Sequence, residues 1–287
     1  MKDHATPQES EQFQKDGFII IENFLSPDEL ETWRLEIGKA VEARSEFRLP
    51  GRWDNKNDAD HKKIFVQRIN LWMDHAGARE LMLDERLGHV AADLAQVDGI
   101  RIWHDQALIK LPWGGPTDWH MDNPYWSFTS PDAISIWVAL DDATPDNGCL
   151  YFIPGSHRVA VKDNPPIGQS MSALFEMYPE MAGTNAVRAQ MKAGSASFHN
   201  GRTFHAAQAN MTPRPRRATA RTGRGRRDSR RALDRDSRCR RCIARAARAE
   251  EPSRPQRAFE YGRAMRFELL GARTAVVALL QRPAAAP

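Results

Sequence analysis

The order of apolar and polar positions changes character once along this chain, near residue 100. Before that point the pattern is mostly helical. Glu9–Asp16 is polar and helix-favouring, and Gly17–Glu22 carries an unbroken apolar run that predicts a buried strand. Ser26-Pro27-Asp28-Glu29 then predicts a helix start. The serine accepts from first-turn N–H groups, the proline suits the first helical position, and Glu29 completes a capping box. Leu30, Trp33, Ile37 and Val41 fall on one face of that helix, which should run to about Ala43. Residues 44–62 are polar without a period and predict a loop. Phe65–Leu71 fits a strand, and Ala76–Leu94 a helix broken near Asp84.

From Ile100 onward, short apolar runs alternate with turn signals. Strands are predicted over Ile102–Leu111, Asp118–Asp122, Ala133–Leu140, Cys149–Ile153, Ala186–Met191, Ser195–His199 and Thr203–Ala207. Turns such as Trp113-Gly114-Gly115-Pro116, Pro145-Asp146-Asn147-Gly148 and Ile153-Pro154-Gly155-Ser156 separate them. A helical start followed by regular short strands predicts a mainly β fold, an antiparallel barrel or sandwich with helices packed outside.

Charge divides the chain elsewhere. The 287 residues sum to +4, but residues 1–213 hold 9 Lys and 11 Arg against 30 acidic residues, a balance of −10. Residues 214–287 hold 21 Arg and no Lys against 7 acidic residues, a balance of +14, and all 8 Trp and all 9 His precede them. An acidic body thus adjoins a basic end. No apolar run is long enough for a membrane helix, and residues 1–18 lack the apolar stretch of a signal peptide. Three cysteines are too few for a disulfide framework and suit a reducing compartment, so a cytoplasmic location is expected. The sequence carries no signal for oligomeric state.

The chemistry concentrates in Trp119-His120-Met121-Asp122. In a strand, residues i and i+2 share a face, so His120 and Asp122 can offer an imidazole nitrogen and a carboxylate oxygen to one point. A third ligand must come from elsewhere, and His157, His199 and His205 are the downstream candidates. Two histidines and one carboxylate on one face of a metal leave positions open, which is the facial triad of non-haem Fe(II) oxygenases.

The wider context resembles the phytanoyl-CoA dioxygenase family of Fe(II)/2-oxoglutarate oxygenases. The resemblance is carried by Gly17–Leu25, Trp119–Asp122, Ile136–Asp142, Asn147–Leu150 and Ile153–His157, and then by His205, Asn210 and Arg216. These elements occur in the family's order over about residues 11–217. It implies a double-stranded β-helix core of the jelly-roll, cupin-like kind. It implies His120, Asp122 and His205 as iron ligands, and Arg216 as partner of the far carboxylate of 2-oxoglutarate, a role suited to a bidentate guanidinium. Arg217 points to the opposite face if this is a strand, whereas Arg214 shares the parity of Arg216. Gln106 and Lys110, of like parity on the preceding strand, are candidates to face the pocket and hold 2-oxoglutarate. Gln106 resembles a family position that helps hold it, and Trp137 matches a pocket-lining one; solvated strand face and core packing are their plain alternatives. The implied reaction uses O₂ to hydroxylate a small-molecule C–H bond, with succinate and CO₂ as co-products. An intact carboxylate at Asp122 favours hydroxylation over halogenation. Trp113, Tyr125, Trp126 and Phe128, with Asn123 and Asp132, are candidates for the substrate pocket, and residues 44–62 and 160–185 for a lid.

The expected domain is therefore 1–217, with helices over 1–98 and the β core over 99–217. Beyond it, Ala218 onward departs from the apolar strand that the family pattern would place there. Thr-Ala-Arg-Thr-Gly-Arg-Gly-Arg-Arg over 219–227 is expected not to pair inside a barrel, because guanidinium groups would be buried without partners. The closing strands are thus in doubt. Three origins for residues 218–287 stay open: an out-of-frame GC-rich stretch, a genuine basic tail binding nucleic acid or another polyanion, or a folded extension over Phe259–Leu280. Cys239-Arg-Arg-Cys242 has neither a second pair nor a following histidine, so it is not read as a zinc site. A non-catalytic polyanion-binding protein is the rival from a different class.

Overall fold

The structure is a computed structural model and describes residues 1–46, 65–128, 130–165 and 170–226. Helix α1 (Pro7–Asp16) begins two residues before its sequence-predicted start, because Thr6 caps it. The Thr6 side chain accepts from Glu9 N, and the Glu9 carboxylate accepts from Thr6 N. Gly17 ends it with φ at 82°, and a β-carbon there would lie 2.3 Å from His157 Nδ1. His157 packs against this turn. Strand β1 (Phe18–Ile21) follows, then α2 (Pro27–Glu46), whose capping box forms between Ser26 and Glu29. After β2 (Val66–Ile69) come α3 (Ala76–Met82) and α4 (Glu85–Ala95), divided at Asp84, whose carboxylate accepts from Arg86 N. Most of the 44–62 loop lies outside the described residues.

The β core comprises β3 (Gly99–Lys110), β4 (Thr117–His120), β5 (Ala133–Ala139), β6 (Leu150–Phe152), β7 (Val187–Ala189), β8 (Ala196–Asn200), β9 (His205–Ala207) and β10 (Arg216–Arg226). They form two antiparallel sheets, ordered β1-β8-β5-β10-β3-β2 and β4-β9-β6-β7. Between the sheets, Phe18, Trp137, Ala139, Ala218 and Ala220 pack against Leu150, Phe152, Ala189 and Ala207. On the outer face of the larger sheet, Phe13, Trp33, Ile37, Met82, Leu87 and Val90 from the four helices cover Ile134, Ile136, Val138 and Phe198. The fold is mainly β with flanking helices, a two-sheet jelly roll. Among the described residues no helix is long and apolar enough to cross a membrane.

Part of the 160–185 segment is described. It carries a short helix α5 (Ala173–Met177), and buried Leu174 and Tyr178 pack on Met121, Ile153 and Phe204. The segment is thus anchored to the core beside the candidate ligands.

The main departure from expectation is β10. The boundary placed at residue 217 falls inside a strand that pairs with both β3 and β5, near the middle of the larger sheet. Strand alternation supplies most of the reason. Ala218, Ala220 and Thr222, all small, turn inward, while Arg217 on the other face pairs with Asp141 at 2.7 Å. Arg224 has the inward parity but lies near the strand end, where it is exposed and sits over the Phe128 ring. Among the described arginines of 219–226, Arg221 alone meets the feared fate. It is buried against the helices at 4% exposure, with Nη1 donating to the Met82 carbonyl at 2.7 Å. Residues 227–287, including Cys239, Cys242 and Phe259–Leu280, lie outside the described residues.

Candidate metal centre

His120 ends β4 and His205 begins β9, and the two are direct cross-strand partners. That register sets their rings side by side, with centroids 4.1 Å apart. Asp122 completes the group, but not as a strand residue. β4 stops at His120, and Asp122 sits at φ −76°, ψ −42° at the head of a 3₁₀ turn over Asn123–Tyr125. Pro124 lacks the N–H to continue a ladder, so the chain turns here. The carboxylate arrives by that turn rather than by the period-two alternation expected of 118–122. Its Oδ1 lies 3.7 Å from His205 Nε2, and one ligand atom from each of the three residues falls within 4.8 Å of the others.

The donor set fits a divalent metal. His120 Nδ1 lies 2.7 Å from the Asp118 carbonyl, and His205 Nδ1 lies 2.9 Å from the Thr203 carbonyl. Each Nδ1–H donates to that carbonyl, so each Nε2 keeps its lone pair for a ligand position. Burial pushes the pKa of both imidazoles down, well down for His205, where His120 adds to the effect. Burial alone would raise the Asp122 carboxyl, but His205, His199 and His120 outweigh it and hold it below the ordinary carboxylate range.

The other histidine candidates separate. His157 stays against Gly17, outside this group. His199, on β8, is 4% exposed, and its Nε2 lies 3.2 Å from Asp122 Oδ2. It touches the carboxylate rather than joining the three-ligand cluster.

A second cationic site lies deeper between the sheets. Arg216 and Lys110 are cross-strand partners on β10 and β3, at 3% and 1% exposure. Arg216 Nη2 donates to the Gly148 carbonyl at 2.8 Å, and its guanidinium sits 5.0 Å from the Trp137 ring centre. Its Nε is buried with no partner among the described residues. Lys110 Nζ donates to the Gly115 and Gln208 carbonyls at 2.9 and 2.7 Å. Burial, with repulsion from Arg216, lowers its pKa to about 7. Two buried basic groups that have no carboxylate partner among the described residues form a cradle suited to an anion. Arg214 is exposed and Arg217 is held by Asp141, so of the three neighbouring arginines Arg216 is the buried one. Gln106 shares the Lys110 face but lies further along β3, where its side-chain oxygen accepts from Gln67 Nε2.

Sequence reasoning passed over Ser135, whose Oγ donates to Asp122 Oδ2 at 2.7 Å. It also gave Asn210 no role. That side chain is fully buried, and its amide lies within 3.3, 3.0 and 2.7 Å of the Lys110, Leu111 and Arg214 carbonyls. It ties the end of β3 to the entrance of β10 and so sets Lys110 against Arg216. Around the metal group, Tyr125 is half-exposed with its ring 6.1 Å from His120, and Trp126 stacks on Phe128 at 5.3 Å. Trp113 projects from a turn at φ 61° and is mostly exposed.

Comparison with known proteins identifies the family and the fold. The sequence model of the family described as phytanoyl-CoA dioxygenase (PhyH) matches residues 13–218. The ectoine dioxygenase of Nocardia farcinica is 29% identical over 224 residues, covering 71% of this chain and 72% of that protein. Dioxygenase lolE1 of Epichloe uncinata is 31% identical over 134 residues, and that match covers 46% of this chain and 47% of that protein, about half its length. Among solved structures, the non-heme alpha ketoglutarate dependent carbocyclase SnoK from nogalamycin biosynthesis superposes with a TM-score of 0.64 at 22% identity, covering 77% of this chain and 84% of that one. EctD from S. alaskensis, solved with 2-oxoglutarate and 5-hydroxyectoine, gives 0.60 at 22% identity, covering 78% of each chain.

Proposed function

Because this chain belongs to the phytanoyl-CoA dioxygenase family, we propose that it is an Fe(II)- and 2-oxoglutarate-dependent oxygenase that hydroxylates a small organic substrate at a C–H bond. The observation that carries this is the joint occurrence of two sites: a His120-Asp122-His205 group, and a buried guanidinium with an unpartnered Nε beside a buried lysine. A metal site alone would not need the second. A chelating dicarboxylate would need both.

In this assignment His120 Nε2, Asp122 Oδ1 and His205 Nε2 hold the iron. Iron and 2-oxoglutarate together supply the oxidising power for O₂ activation, with succinate and CO₂ as co-products. The chain's own work is positional. Arg216 offers its guanidinium to the far carboxylate, Lys110 adds a second positive charge, and the Trp137 ring supports the guanidinium from 5.0 Å. Asp118 and Thr203 fix the imidazoles through their carbonyls. The sheet interior around Phe152, Leu150 and Ala218 keeps water from the carboxylate cradle. Tyr125, Trp126 and Phe128 offer an aromatic surface for the substrate beside Asp122. Succinate release from 2-oxoglutarate, with Fe(II), ascorbate and O₂, tests the assignment. Wild type should turn over even without its substrate, and His120→Ala and Arg216→Ala should not. Equal rates in all three would refute it.

A further inference from the structure

We propose that Ser135 and His199 are positioning residues that occupy Oδ2 of Asp122, leaving Oδ1 as the single carboxylate oxygen for the metal. This rests on the assignment of His120, Asp122 and His205 as ligands. Asp122 lies in a turn, so no ladder hydrogen bonds orient its side chain, and the side chain retains 22% exposure. A carboxylate left to itself can meet a divalent cation through one oxygen or two, and the second mode uses a coordination position. Two groups from neighbouring strands decide between these modes here. Ser135 on β5 and His199 on β8 are direct cross-strand partners, so their side chains leave the sheet side by side. Ser135 Oγ lies 2.7 Å from Oδ2 and His199 Nε2 lies 3.2 Å from the same atom. The other oxygen, Oδ1, is the one that faces His205 Nε2.

The donor directions are consistent. Asp122 as a carboxylate only accepts, so both contacts are donations to it. Ser135 spends its one proton on Oδ2 and can accept from Thr222 Oγ1 at 3.2 Å. His199 must carry its proton on Nε2, and its Nδ1 has no partner among the described residues. An unpaired nitrogen lone pair there is the cheaper of the two tautomers to bury, since the alternative would orphan an N–H and break the bond to Asp122. The same proton on Nε2 makes that nitrogen unavailable as a fourth ligand, although the His199 and His205 ring centres are only 4.6 Å apart.

The test uses the full chain without oxygen, titrated with Fe(II) and then with 2-oxoglutarate, in wild type, Ser135→Ala, His199→Leu and His199→Gln, with His120→Ala as the ligand-loss reference. Glutamine retains an N–H near the position of Nε2. The readouts are the Fe(II) dissociation constant and the position of the visible absorption band that forms when both are bound. Ser135→Ala and His199→Leu should each weaken Fe(II) binding by about 10- to 100-fold and displace the band, and His199→Gln should restore much of both. Ser135→Ala removes one oxygen atom, so it keeps the test sound should His199→Leu fail to fold. Unchanged iron affinity and band in folded Ser135→Ala would overturn the lock. So would a His199→Gln protein as depleted of iron as His120→Ala, because His199 would then be a ligand. Wild type that binds no Fe(II) overturns the ligand assignment itself and the lock with it.

Discussion

Lys110 shows how much a single residue's setting can matter. Its ammonium is buried beside Arg216, and burial first, then that neighbour, lowers its pKa to about 7 from 10.5. A bound dicarboxylate favours the charged form, so 2-oxoglutarate affinity should fall above pH 7, by up to about tenfold per unit. Lys110→Met should weaken binding at pH 6.5 and flatten the profile, as calorimetric titration across pH 6 to 9 would report. A wild-type affinity independent of pH would contradict this. The stability of the free protein moves the opposite way. Between about 7 and 10.5 the unfolded lysine binds a proton that the folded one lacks, so stability gains from this group as pH rises through that window. Gly148 supports the same cradle. Its φ is 86°, and a β-carbon would lie 2.5 Å from the Gln208 carbonyl and 2.6 Å from Lys110 Cδ. Gly148→Ala should therefore weaken 2-oxoglutarate binding more than Fe(II) binding, measured separately on one preparation.

At the scale of elements, what could be read from the sequence depended on how local the signal was. The Ser26–Glu29 capping box, the break at Asp84 and most strands follow from neighbours a few residues apart, although the equally local Thr6–Glu9 box was passed over. His120 and Asp122 were visible as a pair for the same reason, although the turn made by Pro124 was not. The Ser135–His199 contact spans 64 positions and exists only through strand register, so no spacing announces it. Strand β10 was obscured differently. Its arginines read as solvated charge, while the inward alternation of Ala218, Ala220 and Thr222 is quiet. The objection to burying arginine there still holds for one residue. Arg221 has burial lowering its pKa to about 10, with one carbonyl bond and no ion pair among the described residues. Arg221→Leu should raise stability by about 1 to 4 kcal/mol, since a buried charge gives way to apolar packing with Trp33, Met82 and Leu87. Denaturant unfolding monitored at the tryptophans would measure it, and a lower midpoint would contradict it.

For the whole molecule, two sheets and their helical cover turn distant segments into one chemical interior. The candidate ligands come from β4, its following turn and β9, and the proposed anion cradle from β3 and β10. The basic end of the sequence therefore begins inside the fold: Arg216 and Arg221 are buried and Arg217 is paired. Ending the chain after Arg217 would remove nearly all of a strand that both β3 and β5 need, and should abolish cooperative unfolding rather than merely delete a polyanion-binding tail. Cooperative melting of that truncated chain would contradict the role given to β10. The central claim, that this interior turns over 2-oxoglutarate on iron, is tested most directly by succinate formation under O₂. The account predicts Fe(II)-dependent succinate from wild type, with loss in His120→Ala and in Arg216→Ala while both variants stay folded. Folded wild type that binds neither Fe(II) nor 2-oxoglutarate and forms no succinate would contradict it.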